Sequence, residues 1–113
     1  MILVFGPYAG GKKEYVQNVL GYGQEDFSPD PESECPVVYD AQLLASGTAD
    51  LKELALSLAQ KDVVIATETG CGVVPMDAAE RAAREAAGRL NILLAEAASH
   101  VIRIWWGIPE TIK

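Results

Sequence analysis

Met1-Ile-Leu-Val-Phe5-Gly6-Pro-Tyr-Ala9-Gly10-Gly11-Lys12-Lys13 is the stretch whose reading decides the fold. The apolar run Met1–Phe5 is uninterrupted up to Gly6, the pattern of a strand buried on both faces of a parallel sheet rather than the alternation of a half-exposed one. Tyr15, Val16, Val19 and Leu20 then recur at helical spacing, which predicts a helix over Lys12–Leu20 ended by Gly21. Between the two, Gly6 to Lys12 fits G-x-x-x-x-G-K. In that motif backbone N–H groups wrap phosphate oxygens, the lysine reaches the β and γ oxygens, and a following Ser or Thr hydroxyl holds Mg²⁺. Lys13 stands where that hydroxyl belongs. An ordinary glycine turn before a helix is the alternative, and the strand–turn–helix context weighs against it.

The rest of the chain repeats this unit. Val37–Tyr39 reads as a second short strand ending on Asp40, and Asp50 with Glu53 resembles a capping box for a helix running to about Gln60. Leu51, Leu54, Ala55 and Leu58 form its apolar stripe. Asp62–Ala66 is a third buried strand, followed by a breaker-rich loop from Thr67 to Pro75. Asp77–Ala98 carries the strongest helical signal, with Asp77/Arg81, Glu80/Arg84 and Glu85/Arg89 as i,i+4 pairs outside. Ala79, Ala82, Ala83, Ala86, Leu90, Leu93, Leu94 and Ala97 are its expected inner face. Val101–Trp106 completes four strands, with Trp105 and Trp106 expected on opposite faces, one in the core and one on a contact surface. The order βαβαβαβ predicts an α/β domain: a parallel sheet of about four strands with helices on both faces, and its working loops at the carboxyl ends. Gly21–Pro36, rich in proline and acid, is expected to be a poorly ordered solvated loop.

At 113 residues the chain has room for one domain, and a formal net charge of −7 repels nucleic-acid backbones and anionic membrane surfaces. No apolar run approaches the ~20 residues of a membrane span, and Gly6-Pro7 cuts the N-terminal run too early for a signal peptide. Cys35 and Cys71 make no C-x-x-C pair and are expected to be free thiols, so the expected compartment is the cytoplasm. A small sheet with an open edge favours homo-oligomerisation.

Two acids stand at strand ends where a phosphate site would use them. Asp40 is placed to position Mg²⁺, directly or through water, and Glu68 to meet a ribose, a metal ion or a substrate; the bland readings are a turn-starting aspartate and a loop acid.

Three further segments carry a specific resemblance: Glu68-Thr-Gly70-Cys-Gly72-Val-Val-Pro75, Arg84-Glu85-Ala-Ala-Gly88-Arg89-Leu90-Asn91 and Gly107-Ile-Pro-Glu-Thr-Ile-Lys113. Together with the first twenty residues they resemble the bifunctional adenosylcobinamide kinase/adenosylcobinamide-phosphate guanylyltransferase family. Arg81, Arg84, Gly88 and Asn91 match that family in spacing, with Glu85 in place of its Asp and Ala83 in place of its Phe. The resemblance implies a P-loop fold that binds ATP or GTP at Gly6, Ala9, Gly10, Gly11, Lys12 and Lys13 with Glu68 nearby. It implies phosphorylation of adenosylcobinamide, transfer of GMP in late cobalamin assembly, and an oligomer.

The departures bear on the chemistry. The family carries a guanylylated histidine between its first helix and the strand ending in the acid; here that segment shrinks to Gly21–Pro36 and holds no histidine. His100, the one histidine, falls between the long helix and the last strand and reads as structural. Thr67 replaces the family's Asn before the acid. The resemblance thus implies a truncated member with the guanylyltransferase step lost and Mg²⁺ binding weakened, Lys12 and Asp40 being the residues left for a kinase step. The alternative is a non-catalytic homologue that binds nucleotide or a corrinoid, or partners an intact enzyme.

Overall fold

The computed structural model describes residues 1–68 and 77–113. A six-stranded sheet runs through it in the order β2-β3-β4-β1-β5-β6. Its strands are β1 (Ile2–Gly6), β2 (Phe27–Ser28), β3 (Val37–Val38), β4 (Val63–Thr67), β5 (His100–Trp105) and β6 (Ile108–Thr111). All neighbours pair in parallel except β5 and β6. The α-helices are α1 (Lys12–Asn18), α2 (Leu51–Leu58) and α3 (Ala78–Ala97).

Alternation along each strand sorts the core into two layers. Val4, Val37, Val63, Ile65 and Ile104 meet Val16 of α1 on one face. Leu3, Val38, Val64, Ala66 and Val101 meet Ala55 and Leu58 of α2 and Ala87, Leu90 and Leu94 of α3 on the other. Both predictions, an α/β parallel sheet and helices on both faces, therefore hold. The chain leaves β1 toward β3 over the α1 face and returns through α2 and α3 over the opposite face. Opposite travel on opposite faces is what right-handed crossovers require. It makes the β1/β4 junction a switch point, with α1, the helix after β1, and α3, the helix after β4, on different sides of the sheet.

Two strands were not anticipated. β2 lies in Gly21–Pro36, the segment expected to be poorly ordered. There Lys61 Nζ donates to the carbonyls of Ser33 and Cys35, and Tyr39 N–H donates to Ser28 O at 3.2 Å. The segment is thus an edge strand tied to the body rather than a free loop, and Cys35 in it is a free thiol. Cys71, the glycines Gly70 and Gly72 and Pro75 lie outside the described residues. β6 returns antiparallel through a two-residue turn in which Trp106 and Gly107 both have positive φ (46° and 75°), the requirement of a type I′ hairpin. That hairpin corrects the expectation for the tryptophans: Trp105 is 41% and Trp106 85% exposed, so neither is core.

Helix ends follow the sequence closely. Asp50 accepts from Glu53 N–H at 3.1 Å and Asp77 from Ala79 N–H at 2.8 Å. The full capping box at Asp50 does not form, because its N–H donates to Thr48 Oγ1 instead. The first turn of α3 is exposed, so Ala79 and Ala82 do not join the core, and Ala97 is likewise exposed while Ala87 and Ala98 are buried. Of the expected surface pairs, Glu85–Arg89 is present at 3.9 Å between exposed side chains and adds little. A 3₁₀ helix over Ala41–Gly47, unforeseen in the sequence, buries Ala41 and Ala45 against the α2/α3 face. Lys113 Nζ donates to the carbonyls of Ala95 and Glu96, neutralising the end of α3. Among the described residues no helix is long and apolar enough to cross a membrane.

Two glycines separate packing from conformational preference. A Cβ on Gly6 would land on the backbone carbonyl of Ile104, whereas one on Gly88 would meet nothing within 4 Å. Gly6→Ala is expected to cost about 3 kcal/mol, and Gly88→Ala to add about 0.5–1 kcal/mol by restoring helix propensity. Urea denaturation of the two variants checks the opposite signs.

Candidate functional site

The loop after β1 begins at Gly6, where the strand must pass the β5 backbone without a side chain. It then tightens: Gly10 N–H donates to Pro7 O at 3.1 Å, and Ala9 and Gly11 both take positive φ (56° and 93°). Gly11 suits the left-handed region; Ala9 occupies it at a cost that the surrounding loop must hold. Gly107 N–H donates to Gly10 O at 2.9 Å, and a Cβ on Gly11 would stand 3.2 Å from Gly107 Cα. The β5–β6 turn is therefore a backstop against which the loop is folded.

A cavity of about 460 Å³ opens at the carboxyl ends of the strands, lined by Tyr8 to Glu14 with Asp40, Ile65 and Thr67. Lys12 is its buried cation, 9% exposed, and its Nζ donates to Pro7 O at 2.7 Å, bridging the mouth of the loop from within. Burial pulls the Lys12 ammonium below its ordinary pKa, while Asp40, Glu68 and Glu14 push the other way and Lys13 adds to the lowering. Lys13 is exposed and holds its ammonium 3.8 Å over the centroid of the Tyr39 ring. Asp40, next in the chain, has φ 54° and opens the 3₁₀ helix with no side-chain capping bond. Its carboxylate thus has no local backbone duty, which is why it is available to the cavity.

The structure brings Ala9, Gly10, Gly11, Lys12, Lys13 and Asp40 around one cavity. Gly6 and Glu68 stand behind it. Glu68 N–H donates to Gly6 O at 2.8 Å, and its carboxylate accepts from Arg103 Nε at 2.6 Å and Nη2 at 3.1 Å. Glu68 follows β4 and Arg103 lies on β5, so the pair spans β1 between them. Two strand spacings are about 9.6 Å, a gap only long side chains close. Arg103 also lays its guanidinium 4.3 Å from the Trp105 ring centroid. Sequence reading missed Arg103; the signal was a lone cation inside an otherwise apolar strand opposite a strand-end acid. His100 is exposed at the first residue of β5, at the amino end of the sheet and away from the cavity.

The description that fits this chain over residues 32–112 is that of the CobU family, cobinamide kinase / cobinamide phosphate guanyltransferase. The chain belongs to the CobU family. No curated protein gives a significant match. The matched CobU segment starts downstream of the glycine loop, so the loop stands on its own geometry. Within the match, Arg81, Arg84, Gly88 and Asn91 fall at three- and four-residue steps along one side of α3. Family membership carries with it a nucleotide-dependent transferase of cobalamin biosynthesis and a P-loop NTPase-like fold.

P-loop chemistry implies Mg²⁺ beside the lysine, and the residues present test that expectation. Lys13 offers an ammonium, which has no lone pair to give. Asp40 and Glu14 are the carboxylates lining the cavity, and a nucleotide's Mg²⁺ takes one or two carboxylates together with phosphate oxygens. What the loop itself does not offer is the hydroxyl ligand, whose position Lys13 occupies.

The Glu68–Arg103 pair is partly shielded, with side chains 15% and 28% exposed. Removing Arg103 is expected to lower stability by about 1–2 kcal/mol after allowance for solvent. Urea denaturation of Arg103→Ala, Glu68→Ala and the double variant checks this, the double variant costing less than the two singles together.

Proposed function

We propose that this chain binds a nucleotide, ATP or GTP, through its phosphates in the cavity over the β1/β4 junction, and that any catalysis it retains is the family's kinase step on adenosylcobinamide. The observation that carries the reading is the buried Lys12 ammonium closing a glycine loop at a switch point. Backbone N–H groups of the loop supply donors, and Lys12 supplies charge in a site of reduced dielectric, where it stabilises a phosphoryl group more than it would in water. Asp40 and Glu68 act at a distance to keep Lys12 charged, and Glu68 holds the loop's base through Arg103. Tyr8, 89% exposed at the cavity rim, offers a ring face to a base or a corrinoid side chain.

The guanylyltransferase step is read as lost. It needs a nucleophilic histidine near the nucleotide, and the segment joining α1 to β3 contains none, while His100 stands at the far end of β5. The second reading, a non-catalytic nucleotide- or corrinoid-binding homologue, is favoured by one observation, the ammonium of Lys13 in place of a metal-binding hydroxyl.

Calorimetric titration with ATP and GTP is expected to show binding that Lys12→Ala weakens by at least tenfold, and incubation with GTP is expected to leave no covalent GMP on the protein. Label transfer from nucleotide to adenosylcobinamide above the Lys12→Ala background would select the kinase over the non-catalytic reading. Affinity should fall as pH rises. The phosphate-bound state keeps Lys12 protonated, whereas the free protein loses that proton below the ordinary lysine value of 10.5. Binding above that lowered pKa therefore takes up a proton, and the decline begins below pH 10.5.

A further inference from the structure

We infer that Lys13 is a built-in replacement for the divalent cation, so that this cavity takes a nucleoside di- or triphosphate as the free polyanion rather than as its metal complex. The inference rests on the nucleotide reading above and adds which ionic form of the ligand the site selects.

Four observations carry it. Lys13 directly follows the loop lysine, the position whose hydroxyl would otherwise bind Mg²⁺. Its ammonium is not left to wander in solvent: it is held 3.8 Å over the Tyr39 ring, on the strand end that leads into Asp40. A charge held against an aromatic face is already positioned when the ligand arrives, which lowers the ordering cost of the contact. Lys13 and Asp40 line the same cavity as Lys12. A metal ion seeking Asp40 would therefore enter beside a fixed positive charge. Finally, Glu68, the other strand-end acid, is engaged by Arg103 through two hydrogen bonds, one to each carboxylate oxygen, so its charge is already paired with a cation.

The cavity lining carries two ammonium groups, Lys12 and Lys13, and two carboxylates, Glu14 and Asp40. At the Lys13 position a free polyphosphate meets an ammonium, whereas its Mg²⁺ complex arrives with two of its negative charges cancelled and brings a cation against that ammonium. In a loop bearing a hydroxyl at this position the preference is reversed.

Titration of ATP and GTP by calorimetry in EDTA and in excess Mg²⁺ tests the inference, with the wild-type chain and the Lys13→Ser, Lys13→Arg and Tyr39→Leu variants. Wild type is expected to bind at least as tightly in EDTA as in Mg²⁺. Lys13→Ser should lose about tenfold in EDTA and become tighter when Mg²⁺ is added. Lys13→Arg should keep the metal-independent binding, and Tyr39→Leu should weaken the EDTA binding severalfold. Lys13 is exposed, so its substitutions leave folding intact; Tyr39 packs against the core, and circular dichroism and urea denaturation verify that Tyr39→Leu is folded under the titration conditions. Wild-type binding that is tenfold tighter in Mg²⁺ would overturn the inference while leaving the nucleotide reading in place. Absence of binding in both media would overturn both.

Discussion

The glycine loop depends on a contact between two stretches of backbone with nothing between them. Gly6 passes the Ile104 carbonyl at a distance that admits no side chain, Gly11 packs on Gly107, and Gly10 accepts the Gly107 N–H. Three glycines on one side and a positive-φ turn on the other make this possible. The consequence reaches the chemistry, because the same contact sets the curvature of the loop and hence where Lys12 stands. Glu68 and Arg103 brace it from the flanks by bridging over the end of β1. The catalytic-looking residues are therefore held by the β5–β6 hairpin, whose β5 strand is also part of the parallel core.

Burial then gives Lys12 its properties. A lysine in this position sits between opposing influences: loss of water and the neighbouring Lys13 favour the neutral form, and Asp40, Glu68 and Glu14 favour the charged one. A phosphate arriving beside it adds to the second group. The chain as a whole carries a net charge of −7, whereas its cavity lining balances Lys12 and Lys13 against Glu14 and Asp40. An anion that reaches the loop therefore leaves a repelling field for a locally balanced one, and those that cannot reach it are repelled.

Much of this architecture was legible in the sequence because it rests on local pattern. Met1–Phe5 and Val63–Ala66 are apolar throughout because both faces of a central parallel strand are covered, and Asp50 and Asp77 cap as their side chains dictate. The family motifs around Arg81 to Asn91 were likewise readable. What escaped were features made by partners distant in the chain. β2 is two residues long and exists through Lys61 and the pairing with β3; no periodicity can show in so short a strand. β6 was hidden by Pro109 and by a turn that puts Trp106, a residue that rarely takes positive φ, in its first position. Helical spacing placed Ala79 and Ala82 on the inner face of α3, but the first turn of the helix is exposed and its buried face begins at Ala87. At the site, Glu68 was read as an acid able to meet a ribose, a metal ion or a substrate because its partner, Arg103, is 35 residues away.

Reception of phosphate by the loop between β1 and α1 is read out most directly by an amide ¹H–¹⁵N NMR titration with ATP and with GTP. The largest shifts are expected on Ala9, Gly10, Gly11, Lys12 and Lys13, with Gly107 following because its N–H is bonded to the loop, while the amides of α2 stay in place. Saturable shifts confined to α2 and α3, or none at millimolar nucleotide, would contradict it.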